Sequence, residues 1–134
     1  MNSWVRAARP LRKTQHVKKK NIVLEKSFLF AASILDLNER VVEKRQFELA
    51  SQLVRSGTSI GANVRESQRA VSTADFINKL GIALKEADET DYWLRLVDLK
   101  VTRVDEQMFN ELEALMKLLV SIINSTKRNN RNNG

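Results

Sequence analysis

The sequence contains no cysteine. Disulfides and thiolate metal sites are therefore excluded, and a reducing, cytoplasmic setting is the expectation. A single histidine, His16, leaves no Ser-His-Asp or Cys-His set to assemble. It also leaves no pair of Glu-x-x-His motifs, which a di-iron bundle requires. Only one proline and four glycines interrupt 134 residues, so long uninterrupted helices are to be expected. No run approaches eighteen apolar residues, which argues against a membrane span. The basic beginning of the chain lacks the apolar stretch of a secretory signal. Its Arg-rich, acid-free character is shared with transit peptides, but nothing marks a cleavage point.

The charges are unevenly placed. Residues 1–20 carry Arg6, Arg9, Arg12, Lys13, Lys18, Lys19 and Lys20 without an acid, and residues 127–134 add Lys127, Arg128 and Arg131. The remaining 13 of the 23 bases stand against all 16 acids. The middle of the chain is therefore slightly acidic and its ends strongly basic. Such ends bind polyanions by counterion release with little sequence preference, or else serve as solubilising tails. Residues 1–20 hold Pro10 and no sustained periodicity, and read as a mobile arm.

From Ile22 onward the apolar pattern is helical. Leu24, Phe28, Ala31, Leu35 and Val42 fall on one face of a first helix. Val23, Phe30, Ile34, Leu37 and Val41 make a second stripe. Two stripes predict two sets of neighbours, and a lone subunit with too much apolar surface. The break is expected between Val42 and Gln46, the most polar window. A second helix is expected from Gln46 to Val71, with Leu49, Leu53, Ile60, Val64 and Val71 on its core face. Gly57 and Gly61 lie beside that face and each costs about 1 kcal/mol against alanine. They either admit another backbone or bend the helix. Arg55, Arg65 and Arg69 lie on the side away from the core, as a solvated face or a ligand surface.

Ser72 and Asp75 read as an imperfect capping box opening a third helix that runs to about Lys100. Its core face is Phe76, Leu80, Ala83, Leu84, Ala87, Leu94, Val97 and Val101. Ile82, Glu86, Glu89, Trp93 and Leu96 occupy nearly the opposite side, an acidic and apolar mixture that water alone would not favour. A short connection with Thr102 or Asp105 as N-cap leads to a fourth helix ending near Thr126, with the remainder expected to fray. Phe109, Leu112, Met116, Leu119 and Ile123 form its bundle seam, widened by Met108, Leu115 and Ile122. Short links between four helices predict an all-α, antiparallel up-down-up-down four-helix bundle over residues 21–126. The basic arm of residues 1–20 and an Asn-rich tail of residues 127–134 flank it.

Catalytic signals are weak. There is no P-loop or dinucleotide-binding glycine pattern. Glu66, Glu86 and Glu89 without histidine make a poor metal set, so the expectation is a non-enzyme with no cofactor and no metal. The more specific constellation is interhelical. If Glu86 and Glu89 are buried at a contact they need a partner. Arg55 is the first candidate because guanidinium can pair with carboxylate bidentately. Asn63 is a candidate to satisfy polar groups at a close helix approach. The competing reading leaves these as ordinary exposed charges.

The stretches Gln52-Leu53-Val54-Arg55-Ser56-Gly57-Thr58-Ser59-Ile60-Gly61-Ala62-Asn63-Val64, Asp75-Phe76-Ile77-Asn78-Lys79-Leu80 and Lys85-Glu86-Ala87-Asp88-Glu89-Thr90-Asp91-Tyr92-Trp93-Leu94 resemble the bacterial 23S rRNA intervening-sequence proteins, the S23 family. The resemblance covers about residues 21–126. It implies a four-helix bundle that assembles as a homopentameric ring, an origin in reading frames inserted in ribosomal RNA genes, and nucleic-acid binding, of RNA above all. A related bundle serves diversity-generating retroelements, where it binds reverse transcriptase and nucleic acid. Asn63-Val64-Arg65-Glu66-Ser67 departs from the Glu-Gly ending common in the family, a change expected to be harmless if the helix continues.

The function expected from these readings is a homo-oligomeric bundle that binds nucleic acid. Its contacts would be Arg6, Arg9, Arg12, Lys13, Lys18, Lys19, Lys20, Arg55, Arg65, Arg69, Lys127, Arg128 and Arg131. Its subunit interface would be built on Arg55, Gly57, Gly61, Asn63, Ile82, Glu86, Glu89, Trp93 and Leu96. The alternative is a protein-interaction adaptor, such as a reverse-transcriptase accessory subunit.

Overall fold

The computed structural model describes residues 18–133. They form four helices: α1 (Lys18–Glu43), α2 (Phe47–Ser67), α3 (Thr73–Lys100) and α4 (Glu106–Asn133). No strand occurs among them. Each helix packs on its neighbours in the sequence, and α4 closes against α1 to complete a four-helix bundle. None of these helices is long and apolar enough to cross a membrane.

Of the two apolar stripes on α1, only one serves the core. Val23, Phe30, Ile34, Leu37 and Val41 are fully buried, whereas Phe28, Leu35 and Val42 are 40%, 50% and 41% exposed. Leu24 is half-buried against the core. From α2 come Leu53, Ile60 and Val64, and from α3 Leu80, Ala83, Ala87, Leu94 and Val97, with Phe76 at the core's edge. Both expected seams of α4 contribute, with Met108, Leu112, Leu115, Leu119, Ile122 and Ile123 buried. Buried hydroxyls are satisfied within their own helices: Ser27, Ser56 and Ser67 each donate to the carbonyl three residues back, and Thr90 to the carbonyl of Glu86.

The α1–α2 break falls in the expected window and uses neither glycine nor proline. Arg45 takes the left-handed conformation with φ of 60°. Its N–H donates to the carbonyl of Val42 and that of Gln46 to Val41. This is the bond pair of a Schellman cap, with arginine where glycine is usual. The Arg45 guanidinium lies 5.8 Å from the ring centre of Phe47.

Three boundaries differ from the sequence reading. First, α1 begins at Lys18, so Lys18–Lys20 belong to the helix and not to the arm. Second, α2 ends at Ser67 rather than Val71. Gln68, Arg69 and Ala70 tighten into bonds to the carbonyls three residues back. The Val71 N–H is taken by the Asp75 carboxylate at 3.2 Å, and the Ser72 hydroxyl accepts from the Asp75 N–H at 3.0 Å. Asp75 thus reaches one residue past the usual capping-box donor, and Val71 is 92% exposed instead of in the core. Ser67, the departure from the family pattern, is buried at the helix end, its hydroxyl 2.6 Å from the Val64 carbonyl. Third, α4 continues to Asn133, beyond Thr126, through its Asn-rich end. Asp105 opens it, accepting from the Gln107 N–H, and Asp98 fixes the preceding turn by accepting from the Val104 N–H.

α2 runs unbroken through Gly57 and Gly61, and both face α1. A Cβ on Gly57 would lie 2.7 Å and 2.9 Å from two side-chain carbons of Ile34, and one on Gly61 would lie 3.2 Å from the Ser27 carbonyl oxygen. Their small size is therefore accounted for inside the subunit. Buried Gly57 is not available to a subunit interface, a correction to the sequence reading.

Candidate nucleic-acid interface and the Arg55 clasp

Arg55 projects from α2 over α3, where Glu86 and Glu89 stand three residues apart. Its guanidinium pairs with Glu86 Oε2 at 3.3 Å and also with Glu89 Oε2. Its Nε donates to Gln52 Oε1 at 3.4 Å. Glu89 accepts in addition from the Trp93 indole N–H, one turn on, at 3.1 Å. The Glu86 side chain is only 14% exposed and that of Arg55 48%. One cation thus closes the α2–α3 junction and holds two carboxylates and, through Glu89, an indole ring in register. Trp93 is partly buried against the core and Glu86 pairs with Arg55 of α2, so Glu86 and Trp93 border this junction rather than lie opposite the core as the sequence suggests. A second cross-helix pair, Lys79 with Glu66 at 3.1 Å, spans the same junction nearer the α2–α3 turn. Nothing in the residue spacing signals this pair beyond opposite charges flanking a turn.

Because Arg55 is half exposed, the clasp contributes modestly. A double-mutant cycle of Arg55→Ala and Glu86→Ala, followed by urea denaturation, is expected to give a coupling of about 0.5–1 kcal/mol. A coupling of zero would make the contact a passive one.

The other expected site residues are distributed as follows. Asn63 donates to the Ser59 carbonyl of its own helix at 2.9 Å and does not bridge to α3. Ile82 and Leu96 are half-buried on α3. Arg65 is exposed on the last turn of α2 and Arg69 in the turn that follows it, and neither makes an ion pair among the described residues, whereas Arg55 is held by its two carboxylates. The three arginines therefore do not act as one face. Lys127, Arg128 and Arg131 are exposed on the last turns of α4. Lys18, Lys19 and Lys20 form the first turn of α1. Arg6, Arg9, Arg12 and Lys13 lie outside the described residues. At the α3–α4 junction Asp91 accepts from Arg95 at 2.9 Å and raises its pKa, by the hydrogen bond first and by charge second. The same guanidinium lies 5.5 Å from the Phe109 ring centre. Among the described residues no three His, Cys, Asp or Glu side chains cluster as a metal site would require.

Residues 19–125 match the family model of the 23S rRNA-intervening sequence proteins. The chain belongs to this family. A crystal structure of a protein of unknown function from the S23 ribosomal protein family of Bacteroides thetaiotaomicron is 47% identical to it, with a TM-score of 0.74 over 79% of this chain and 98% of that one. No curated protein matches. The matched range takes in the Arg55 clasp and the exposed Arg65 and Arg69, and leaves out residues 1–18 and the basic last turns of α4.

Proposed function

We propose that this 23S rRNA-intervening sequence protein is a non-enzymatic, cytoplasmic, homo-oligomeric bundle that binds nucleic acid, RNA above all, at one basic end. The observation that carries this reading is the order of the cross-helix contacts. Ile34 meets Gly57 while Ser27 meets Gly61, and Arg55 pairs with Glu86 and Glu89 while Glu66 pairs with Lys79. In both pairs of helices a rising number faces a falling one, which supports an antiparallel up-down-up-down arrangement. That arrangement brings together the start of α1 with Lys18–Lys20, the end of α2 with Arg65 and Arg69, and the end of α4 with Lys127, Arg128 and Arg131. The segment bearing Arg6, Arg9, Arg12 and Lys13 joins the chain at that same end. Bases gathered at one end suit phosphate neutralisation, a contact that carries no base readout of its own.

Self-association is supported by α3. Ile82, Lys85, Glu89, Tyr92, Leu96 and Leu99 repeat at alternating three- and four-residue steps, the spacing of a helix-packing seam. Leu99 is 75% exposed there. Copies joined through this side, in a ring of five as the family resemblance implies, would multiply a weak phosphate site by avidity. Crosslinking followed by sequencing of co-purifying RNA is the test. The full chain is expected to retain RNA and to scatter light as an oligomer, and a chain lacking residues 1–17 and 127–134 to lose the RNA but not the assembly. Equal RNA recovery from both, or a monomer in the full chain, contradicts the corresponding half of the proposal.

A further inference from the structure

The outward surface of α1 is not used by the bundle. Leu29, Leu35 and Val42 are large apolar residues left exposed on it. The helical register places Glu25 and Glu39 in the row beside Leu35 and Val42, and Asp36 and Glu43 in the next row with Leu29. All four carboxylates are exposed, and none makes an ion pair among the described residues. The bases of this stretch, Lys26 and Arg40, lie in the row beyond. A second copy presenting the same face in a two-fold contact would bring carboxylate against carboxylate. The surface instead suits a segment that is both apolar and basic.

The chain contains one such segment. Residues 1–17 interleave Trp4, Val5 and Leu11 with Arg6, Arg9, Arg12 and Lys13, and carry no acid. They run directly into α1 at Lys18. Leu35 stands about 25 Å along the helix from Lys18, and seventeen extended residues span roughly 56–61 Å, so the segment reaches the whole face.

We propose that residues 1–17 dock on the outward face of α1 of their own chain, with Trp4 and Leu11 against Leu29, Leu35 and Val42 and their bases against Glu25, Asp36, Glu39 and Glu43. Bases held by these carboxylates are not free to neutralise phosphate, so a polyanion must displace the segment before using it. The docking goes beyond the nucleic-acid reading and does not depend on it.

The test uses the full chain with Trp93→Phe, which leaves Trp4 as its only tryptophan, checked for helicity by circular dichroism. Trp4 emission is expected to be blue-shifted and quenched by acrylamide severalfold less than in a free peptide of residues 1–17. Leu35→Asp, and separately the pair Asp36→Lys and Glu39→Lys, should return quenching to the peptide value; all three positions are exposed, so the bundle should persist. Quenching equal to that of the peptide in the parent chain overturns the proposal, as does shielding that survives both variants. Shielding that disappears on dilution also overturns it, because the segment would then sit on another copy.

Discussion

Gly57→Ala is expected to lower the unfolding free energy by about 1–3 kcal/mol through overpacking, even though alanine is ordinarily favoured over glycine by about 1 kcal/mol inside a helix. The sign is decided by Ile34, which has no exposed surface and whose branched carbons would stand 2.7 Å and 2.9 Å from the new methyl group. Both carbons sit on the branched Cβ and turn together about χ1, so neither moves away alone, and Ile34 itself is fully buried. Ile34→Ala alone should cost about 2–5 kcal/mol as a cavity. Combined with Gly57→Ala it should cost clearly less than the sum, because the added methyl then meets open space. Gly81 is the internal control. A Cβ there meets nothing within 4 Å, so Gly81→Ala should stabilise by up to about 1 kcal/mol. Equilibrium urea denaturation of the four variants measures all of this. A stabilising Gly57→Ala would mean that α1 and α2 are not packed as closely as described.

The second large effect is expected in binding. Replacing Arg65, Arg69, Arg128 and Arg131 together by alanine removes four exposed bases, from the last turn of α2, the turn after it and the last turns of α4. If each neutralises one phosphate, the salt dependence of RNA binding flattens by about 3 logarithmic units per logarithm of salt, and affinity at 0.1 M salt falls on the order of 10³-fold. None of the four makes an ion pair among the described residues, so stability should change little.

Much of the architecture could be read from apolar spacing. The seams of α3 and α4 follow the 3.6-residue period, and the core takes most of the residues that the period names, with Leu84, Val101, Phe109 and Met116 only partly buried against it. The α1–α2 break was legible only as polarity, because its cap relies on Arg45 in a conformation usually given to glycine, which sequence does not advertise. The apolar period carries α2 on to Val71, while the backbone bonds of Gln68 to Ala70 and the reach of Asp75 to the Val71 N–H end the helix first. On α1 the spacing offered two equal stripes. Only the packing chose between them, and what it left exposed carries the acidic surface discussed above. The pairing of Arg55 with Glu86 and Glu89 was anticipated from charge and helical position. Asn63 was not legible in the same way, since a side chain that bonds to its own helix leaves no trace in residue spacing.

In the proposed reading, position and not total charge makes the nucleic-acid surface: the bases that matter stand where α1 begins and where α2 and α4 end. Two variants of equal charge separate these ideas, one with Arg65, Arg69, Arg128 and Arg131 changed to alanine and one with Arg40, Lys44, Lys100 and Arg103 changed, at the other end in the proposed arrangement. The measurement is fluorescence anisotropy of a labelled RNA across a salt series. A large loss of affinity and a flatter salt slope are expected for the first variant only, with the second close to the parent chain. Equal losses in both, or a loss confined to the second, would contradict it.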